Sequence, residues 1–274
     1  MPELPEVETV KEGLKQNIIN KTISNVNISD KNLRFPYPDN FTQNLISATV
    51  KDIRRRARYL FIELSNKKIL IIHLGMSGKL NYFNHKYQKT AKHDHILINF
   101  SDNTSLIYND TRRFGFADIS ELGEINNHKM IKNLGPEPLS DDFNKKYLKN
   151  ILKNKNMNIK TAMMDNKIVV GVGNIYINES LFLSTICPKR NANSLTNIEI
   201  EKLIQNIKSI LTRAIKSGGS TLRDYVNLTG DIGNFQFDFK VYGRYNEECT
   251  NCKNSISRIK QNGRSTFYCN KCQK

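Results

Sequence analysis

The sequence predicts an α+β protein: an N-terminal helix and an antiparallel β-rich region, then a helical region, then a compact zinc finger. Three observations carry this. Residues 21 to 121 hold short runs of β-branched and aromatic residues separated by turn clusters. Residues 196 to 217 carry an apolar stripe at helical spacing. Cys249, Cys252, Cys269 and Cys272 have the spacing C-x2-C-x16-C-x2-C.

The first element is a helix over residues 5 to 19. Pro5 fits the first helical position, and Glu6 and Glu8 suit the positive end of the helix. Val7, Val10, Leu14 and Ile18 recur at helical spacing. Strands follow at RYLFIEL (58–64), KILIIHL (68–74), HILINF (95–100) and SLIYND (105–110), divided by turn clusters such as SNKK and SDN. NLGPEPLSDD at 133–142 is a Gly/Pro-rich break and marks a domain boundary. Helical patterns come next, and the clearest runs from Thr196 to Ser217. Thr196 and Glu199 match a capping box, and Ile200, Leu203, Ile204, Ile207, Leu211 and Ala214 line one face. Gly218 and Gly219 stop it. A looser polar and aromatic stretch, 220–245, leads into the Cys-rich tail.

A length of 274 residues suits two ordinary domains or one large one. The 13 Phe and 11 Tyr are enough to build cores. The net charge of +16 points to a polyanionic partner, because phosphate neutralisation is the usual reason for so one-sided a charge. The basic residues are spread along the chain and form no single amphipathic helix, which favours nucleic acid over a membrane surface. The first ten residues carry three Glu and no apolar signal region, and apolar runs such as Ile69 to Ile72 are only strand-length. The expected location is therefore the cytosol or nucleoid, where Cys residues are reduced thiols or metal ligands.

Each C-x2-C pair can place two thiolates on one tetrahedral ion, so the four cysteines predict one structural Zn2+ with a closed shell. Cys187 is left over and is expected in the interior. SISRIK and RSTFY flank Asn262-Gly263, a type I′ turn signal, and make the insert a β-hairpin. Arg264 then sits at the hairpin tip, either as a DNA contact or as a solvated surface residue.

The start MPELPEVET has a chemical reading beside a purely structural one. Proline at position 2 permits removal of Met1, which would expose a secondary amine beside Glu3. An α-amino group has a pKa of about 8, so about a tenth is unprotonated at neutral pH, against well under about a thousandth of a lysine. Such an amine can attack a sugar carbon and form a Schiff base, with Glu3 shuttling protons. The alternative is simply Pro and Glu before a helix.

From end to end the chain resembles the bacterial formamidopyrimidine-DNA glycosylase family. The motifs that carry the resemblance are MPELPEVET, RRARYL (55–60), HLGMSG (73–78), KHDH (92–95), DTRRFG (110–115) and LGPEPLSDDF (134–143). MDNKIVVGVGNIY (164–176), GGSTLRDY (218–225), VYGR (241–244) and the finger with GRSTFYC complete the series. The resemblance implies three parts: a catalytic β-sandwich domain over 1–134, a helix-two-turn-helix DNA-binding domain with a lesion-recognition loop over 135–240, and a zinc finger over 241–274. It implies a monomer that takes damaged double-stranded DNA into a basic cleft. There it excises 8-oxoguanine and formamidopyrimidines and cuts the strand by β,δ-elimination.

By the same resemblance Pro2 is the nucleophile and Glu3 the general acid/base. Met76, Arg112 and Phe114 match a triad that fills the void left by the extruded nucleotide, with apolar wedges and an Arg for the orphaned base. From composition alone Met76 and Phe114 would read as core. His93, Arg112 and Lys155 match DNA contacts, and Asn174 and Arg264 match phosphate ligands. Arg264 is also linked to the final elimination. Asn174 lies where a Gly-rich segment opens a helix, a natural anion site, although an Asn there also reads as an N-cap. Residues 218–242 cover the lesion-recognition loop. Two positions depart from the family. Arg58 stands where Lys is usual; it keeps the charge but cannot give up its proton near neutral pH, which puts a proton-transfer duty in doubt. Thr111 stands where Pro is common, with only a local backbone effect expected. A non-catalytic DNA-binding protein is the competing class, and intact Pro2 and Glu3 argue against it. A zinc deaminase is excluded because none of the five His has a Glu two residues later.

Overall fold

The structure, a computed structural model, describes residues 2–88, 90–220 and 234–274. These form two compact units, one from the described residues of 1–132 and 217–234, the other from those of 133–216 and 235–274.

The first unit opens with α1 (Leu4–Ile18). Glu3 and Glu6 close a reciprocal capping box at its start. Its apolar face, Val7, Val10, Leu14 and Ile18, is buried in the unit's core. The strands are β1 (Ile23–Ile28), β2 (Val50–Arg56), β3 (Tyr59–Leu64), β4 (Lys68–His73), β5 (Lys79–Phe83), β6 (Asp94–Phe100), β7 (Ser105–Asn109) and β8 (Phe116–Glu121), with a short helix α2 (Phe41–Leu45) after β1. They make two four-stranded antiparallel sheets, ordered β1-β6-β7-β5 and β2-β3-β4-β8. Ile53, Leu60, Ile62 and Leu70 from one sheet and Leu80, Ile96, Ile98 and Leu106 from the other share a single core, so the unit is a β-sandwich. The β-rich reading of residues 21 to 121 holds, and the four runs named as examples appear as β3, β4, β6 and β7. The other four lie in runs with fewer consecutive apolar residues.

The second unit holds α3 (Lys145–Leu152), α4 (Ile159–Met163), α5 (Asn174–Leu183) and α6 (Asn197–Lys216), then the hairpin β9 (Ser257–Gln261) and β10 (Arg264–Tyr268). Asn144 and Asn158 cap α3 and α4 through their side chains. The expected box on α6 is present: Thr196 N donates to Glu199 Oε2 at 2.8 Å and Glu199 N to Thr196 Oγ1 at 3.3 Å. All six residues of the expected stripe on α6 are buried. Helix α5 is buried from Asn174 to Phe182, so it shows no stripe in sequence and periodicity does not reveal it. Asn262 and Gly263 both take positive φ, 45° and 75°, as a type I′ turn requires, and Gln261 pairs with Arg264 across it. Cys187 is half-buried and not interior as expected: it lies just beyond α5, where its backbone N pairs with the carbonyl of Lys274. Among the described residues no helix is long and apolar enough to cross a membrane.

Candidate nucleic-acid interface and active site

Pro2 and Glu3 are both buried at the head of α1. The N–H of Glu3 donates to Glu6 Oε2 at 2.7 Å, and the other oxygen of Glu6 accepts from Ser220 N at 2.8 Å and Ser220 Oγ at 3.1 Å. One carboxylate thus ties the N-terminal residues to the start of the 218–242 segment. Gly219 permits this approach, since it sits at φ +80° and a Cβ there would stand 3.0 Å from Glu6. The expected lesion-recognition loop lies for the most part outside the described residues.

Arg58 lies in the two-residue connection between β2 and β3, after Ala57 at φ 54°. Arg55 holds that connection: its Nη1 donates to the Ala57 carbonyl at 2.9 Å and its Nε to Glu8 of α1. Burial pushes the Glu8 carboxyl up, but hydrogen bonds from Lys11 and Arg55 bring it below its usual range. The charge at the turn is thus anchored to the same helix that carries Glu3.

Met76 and Phe114 are not core residues; they are 37% and 45% exposed. They project from the 74–78 and 110–115 loops, and the Arg112 guanidinium lies 4.8 Å from the centre of the Phe114 ring. The two loops meet backbone to backbone: a Cβ on Gly75 would be 2.3 Å from Gly115 N, and one on Gly115 would be 1.7 Å from the Tyr108 hydroxyl. His73 supports the first loop, its Nδ1 accepting from Gly75 N at 3.1 Å while its ring stacks on Phe116. Burial, then the nearby Arg58 and Arg34 charges, lower the His73 pKa to about 4, so the ring is neutral. His93 is half-buried in the same unit, its carbonyl accepting from Asp110 N.

In the second unit Asn174 is the first residue of α5 and Gly173 is its cap, so its side chain has no capping duty. It instead donates from Nδ2 to the Ser265 carbonyl at 3.1 Å. Lys160, 1% exposed, donates to the same carbonyl at 3.0 Å and to Thr266 Oγ1 at 2.7 Å. Asn178 Oδ1 accepts from Phe267 N at 2.7 Å. Three side chains of α4 and α5 therefore staple β10 beside Arg264, which is itself exposed at the hairpin tip. Lys155 is half-buried in the connection between α3 and α4. The Sγ atoms of Cys249, Cys252, Cys269 and Cys272 all lie within 4.8 Å of one another. Tetrahedral Zn–S bonds of about 2.3 Å put sulfurs about 3.8 Å apart, so this cluster fits one structural zinc. The described metal-ligating groups include no other such cluster.

Sequence reasoning missed the groups that hold these residues in place. Nothing in the sequence singles out Lys160, which is buried. Nor does anything there single out Glu179, yet it is buried and accepts three backbone N–H bonds, from Lys240, Val241 and Tyr242, at 2.7–2.9 Å. Asp110, placed by sequence at the end of the 105–110 run with no role of its own, is fully buried.

The comparisons with known proteins agree along the whole chain. Residues 1–117 match the Formamidopyrimidine-DNA glycosylase N-terminal domain, 134–226 the Formamidopyrimidine-DNA glycosylase H2TH domain, and 246–274 the Zinc finger found in FPG and IleRS. A formamidopyrimidine-DNA glycosylase of Wolbachia pipientis subsp. Culex pipiens is 49% identical over 273 residues, covering 100% of both chains. One of Rickettsia africae is 45% identical, covering 100% of this chain and 99% of its own. Among solved structures, a mutant FPG of Lactococcus lactis in complex with a Fapy-dG containing DNA superposes with a TM-score of 0.90 at 34% identity, covering 99% of each chain. A MutM complex with DNA containing carbocyclic 8-oxo-G gives 0.91 at 34% identity, also covering 99% of each chain.

Proposed function

The chain belongs to the formamidopyrimidine-DNA glycosylase family, and we propose that it is a monomeric base-excision-repair enzyme of the bacterial cytosol and nucleoid. It removes 8-oxoguanine and formamidopyrimidines from duplex DNA and then cleaves the strand as an AP lyase. The observation that carries this reading is full-length likeness to relatives solved with lesion-bearing DNA, together with Pro2 and Glu3 at the head of α1.

In this reading the Pro2 amine, exposed by removal of Met1, attacks C1′ of the damaged nucleotide and the base departs with a proton. Glu3, held in the capping box, passes protons to the opening sugar ring and leaves a Schiff base. Loss of the C2′ proton expels the 3′ phosphate, and a second elimination expels the 5′ phosphate. Arg58 seats the phosphate beside the lesion, while Asn174 and Arg264 grip phosphate from the second unit. The exposed side chains of Met76 and Phe114 enter the stack, Arg112 pairs with the orphaned base, and His93 and Lys155 contact the backbone. The zinc finger supports the hairpin that presents Arg264.

Borohydride trapping on a duplex containing 8-oxoguanine tests the reading. A covalent protein–DNA adduct is expected from the natural protein, and Pro2→Gly should weaken it greatly. No adduct from active, Met1-free protein, or full activity with Met1 retained, would refute the terminal-amine mechanism.

A further inference from the structure

Met76 and Phe114 are an unusual pair to leave in water. Each sits on a short loop, and two independent loops would tend to fold such side chains inward. The structure shows why they do not. Asp110 is 0% exposed, and both of its oxygens are engaged. Oδ1 accepts from Ser77 Oγ at 2.6 Å and from Arg112 N at 3.2 Å. Oδ2 accepts from Gly115 N at 2.9 Å, with the Tyr108 hydroxyl oxygen 3.5 Å away. Arg112 N also reaches Ser77 Oγ at 3.1 Å, and the Tyr108 hydroxyl donates to the His73 carbonyl at 3.1 Å. The main chain of Asp110 is fixed as well, its carbonyl by His95 Nε2 at 3.0 Å and its N–H by the His93 carbonyl at 3.0 Å.

We infer that Asp110 is a positioning residue for base extrusion: its buried carboxylate fuses the 74–78 and 110–115 loops into one rigid base from which Met76, Arg112 and Phe114 project. This rests on the proposed void-filling role of those three residues. The chemistry of the lock explains why a carboxylate is needed. Each oxygen faces one obligatory backbone donor, Arg112 N on one side and Gly115 N on the other. An Asn in this place could turn its amide either way, but its NH2 would always meet a backbone N–H. Whichever way it turned, the 110–115 loop would lose one of its two backbone anchors, and with it the seat of Arg112 or of Phe114. A wedge on an unanchored loop must be ordered at the moment of insertion, and that cost falls on extrusion and not on the chemistry at C1′.

The test separates those two steps. Asp110→Asn should lower kcat/KM on an 8-oxoguanine duplex by about ten- to a hundredfold, the loss expected from one unsatisfied buried donor. Borohydride trapping on single-stranded abasic DNA, where no base is extruded and no void is filled, should stay within about twofold. A 2-aminopurine beside the lesion should report slower unstacking in stopped flow. Ser77→Ala, which cuts the carboxylate's hydrogen bond to the 74–78 loop and spares both backbone anchors of the 110–115 loop, should give a loss in the same direction. It serves in place of Asp110→Asn should that protein not fold. The Met76→Ala/Phe114→Ala double variant completes a cycle, in which Asp110→Asn should add little once the wedge is gone. If the double variant excises from duplex as well as the natural protein, the void-filling reading itself fails. If the double variant is impaired but Asp110→Asn and Ser77→Ala are not, the positioning role is overturned. Equal losses on duplex and on single-stranded abasic DNA would also overturn it.

Discussion

Replacing His73 with Asn would flatten the acid side of the stability profile. In the folded protein the His73 pKa is lowered to about 4, first by burial and then by the Arg58 and Arg34 charges. In the unfolded chain an imidazole titrates near 6.5. Between those values the unfolded state holds more protons than the folded state, so stability is full above about pH 6.5 and falls as the pH drops toward 4. For these two pKa values linkage gives a loss of about 2 kcal/mol between pH 7 and pH 5 from this one side chain. The structure also says where the loss is felt. Nδ1 accepts from Gly75 N, and protonation turns that acceptor into a donor facing a donor, directly under the Met76 loop. Asn does not titrate, and its Oδ1 can stand where Nδ1 stands. Its smaller side chain leaves a gap beside Phe116 that weakens the unit at every pH alike. Urea denaturation followed by circular dichroism at pH 7 and pH 5 supplies the double difference. The natural protein should lose about 2 kcal/mol more than the variant over that interval. Parallel losses in the two proteins would show that His73 is not held neutral, and the burial argument would fall.

Other perturbations probe the remaining parts. Cys269→Ser should lose zinc, measured by metal analysis, and duplex affinity, while the β-sandwich stays folded; unchanged DNA binding by zinc-free protein would contradict the role given to the finger. Arg58→Lys should raise strand nicking relative to base excision in a time course read with and without hot alkali, because Lys can exchange a proton that Arg retains; identical ratios would make this position neutral. Glu179→Gln should destabilise the second unit by about 1–3 kcal/mol, since an NH2 group must then face a backbone N–H at residues 240–242; a thermal melt matching the natural protein would refute that. Lys160→Met should weaken duplex binding and steepen proteolysis at the 261–264 turn without loss of zinc, and an unchanged proteolytic pattern would show that the Ser265 staple is dispensable.

What the sequence disclosed and what it withheld divide along a physical line. Helices with one wet face, α1 and α6, were legible by their stripes, and β3, β4, β6 and β7, buried on both faces along most of their length, by apolar runs of strand length. The zinc site was legible because its four ligands come as two local pairs. Helix α5 was legible only at its start, from the Gly-rich segment before Asn174, since burial on all sides leaves no periodicity to read. The supporting groups were hidden for a different reason. Asp110, Lys160 and Glu179 are polar residues whose partners are backbone groups or hydroxyls, and backbone N–H and C=O groups carry no residue identity. A carboxylate that binds Gly115 N would bind any residue's N–H there, so nothing in the sequence marks the pairing. The wedge shows the consequence most directly. Met76 and Phe114 read as core by composition, yet they stand exposed on loops that the buried Asp110 carboxylate joins. On the positioning role inferred for Asp110, exposure of these two side chains depends on the buried carboxylate as much as on the wedge itself. Loosening the lock should be visible first as burial of Phe114, before any change at Pro2 or Glu3.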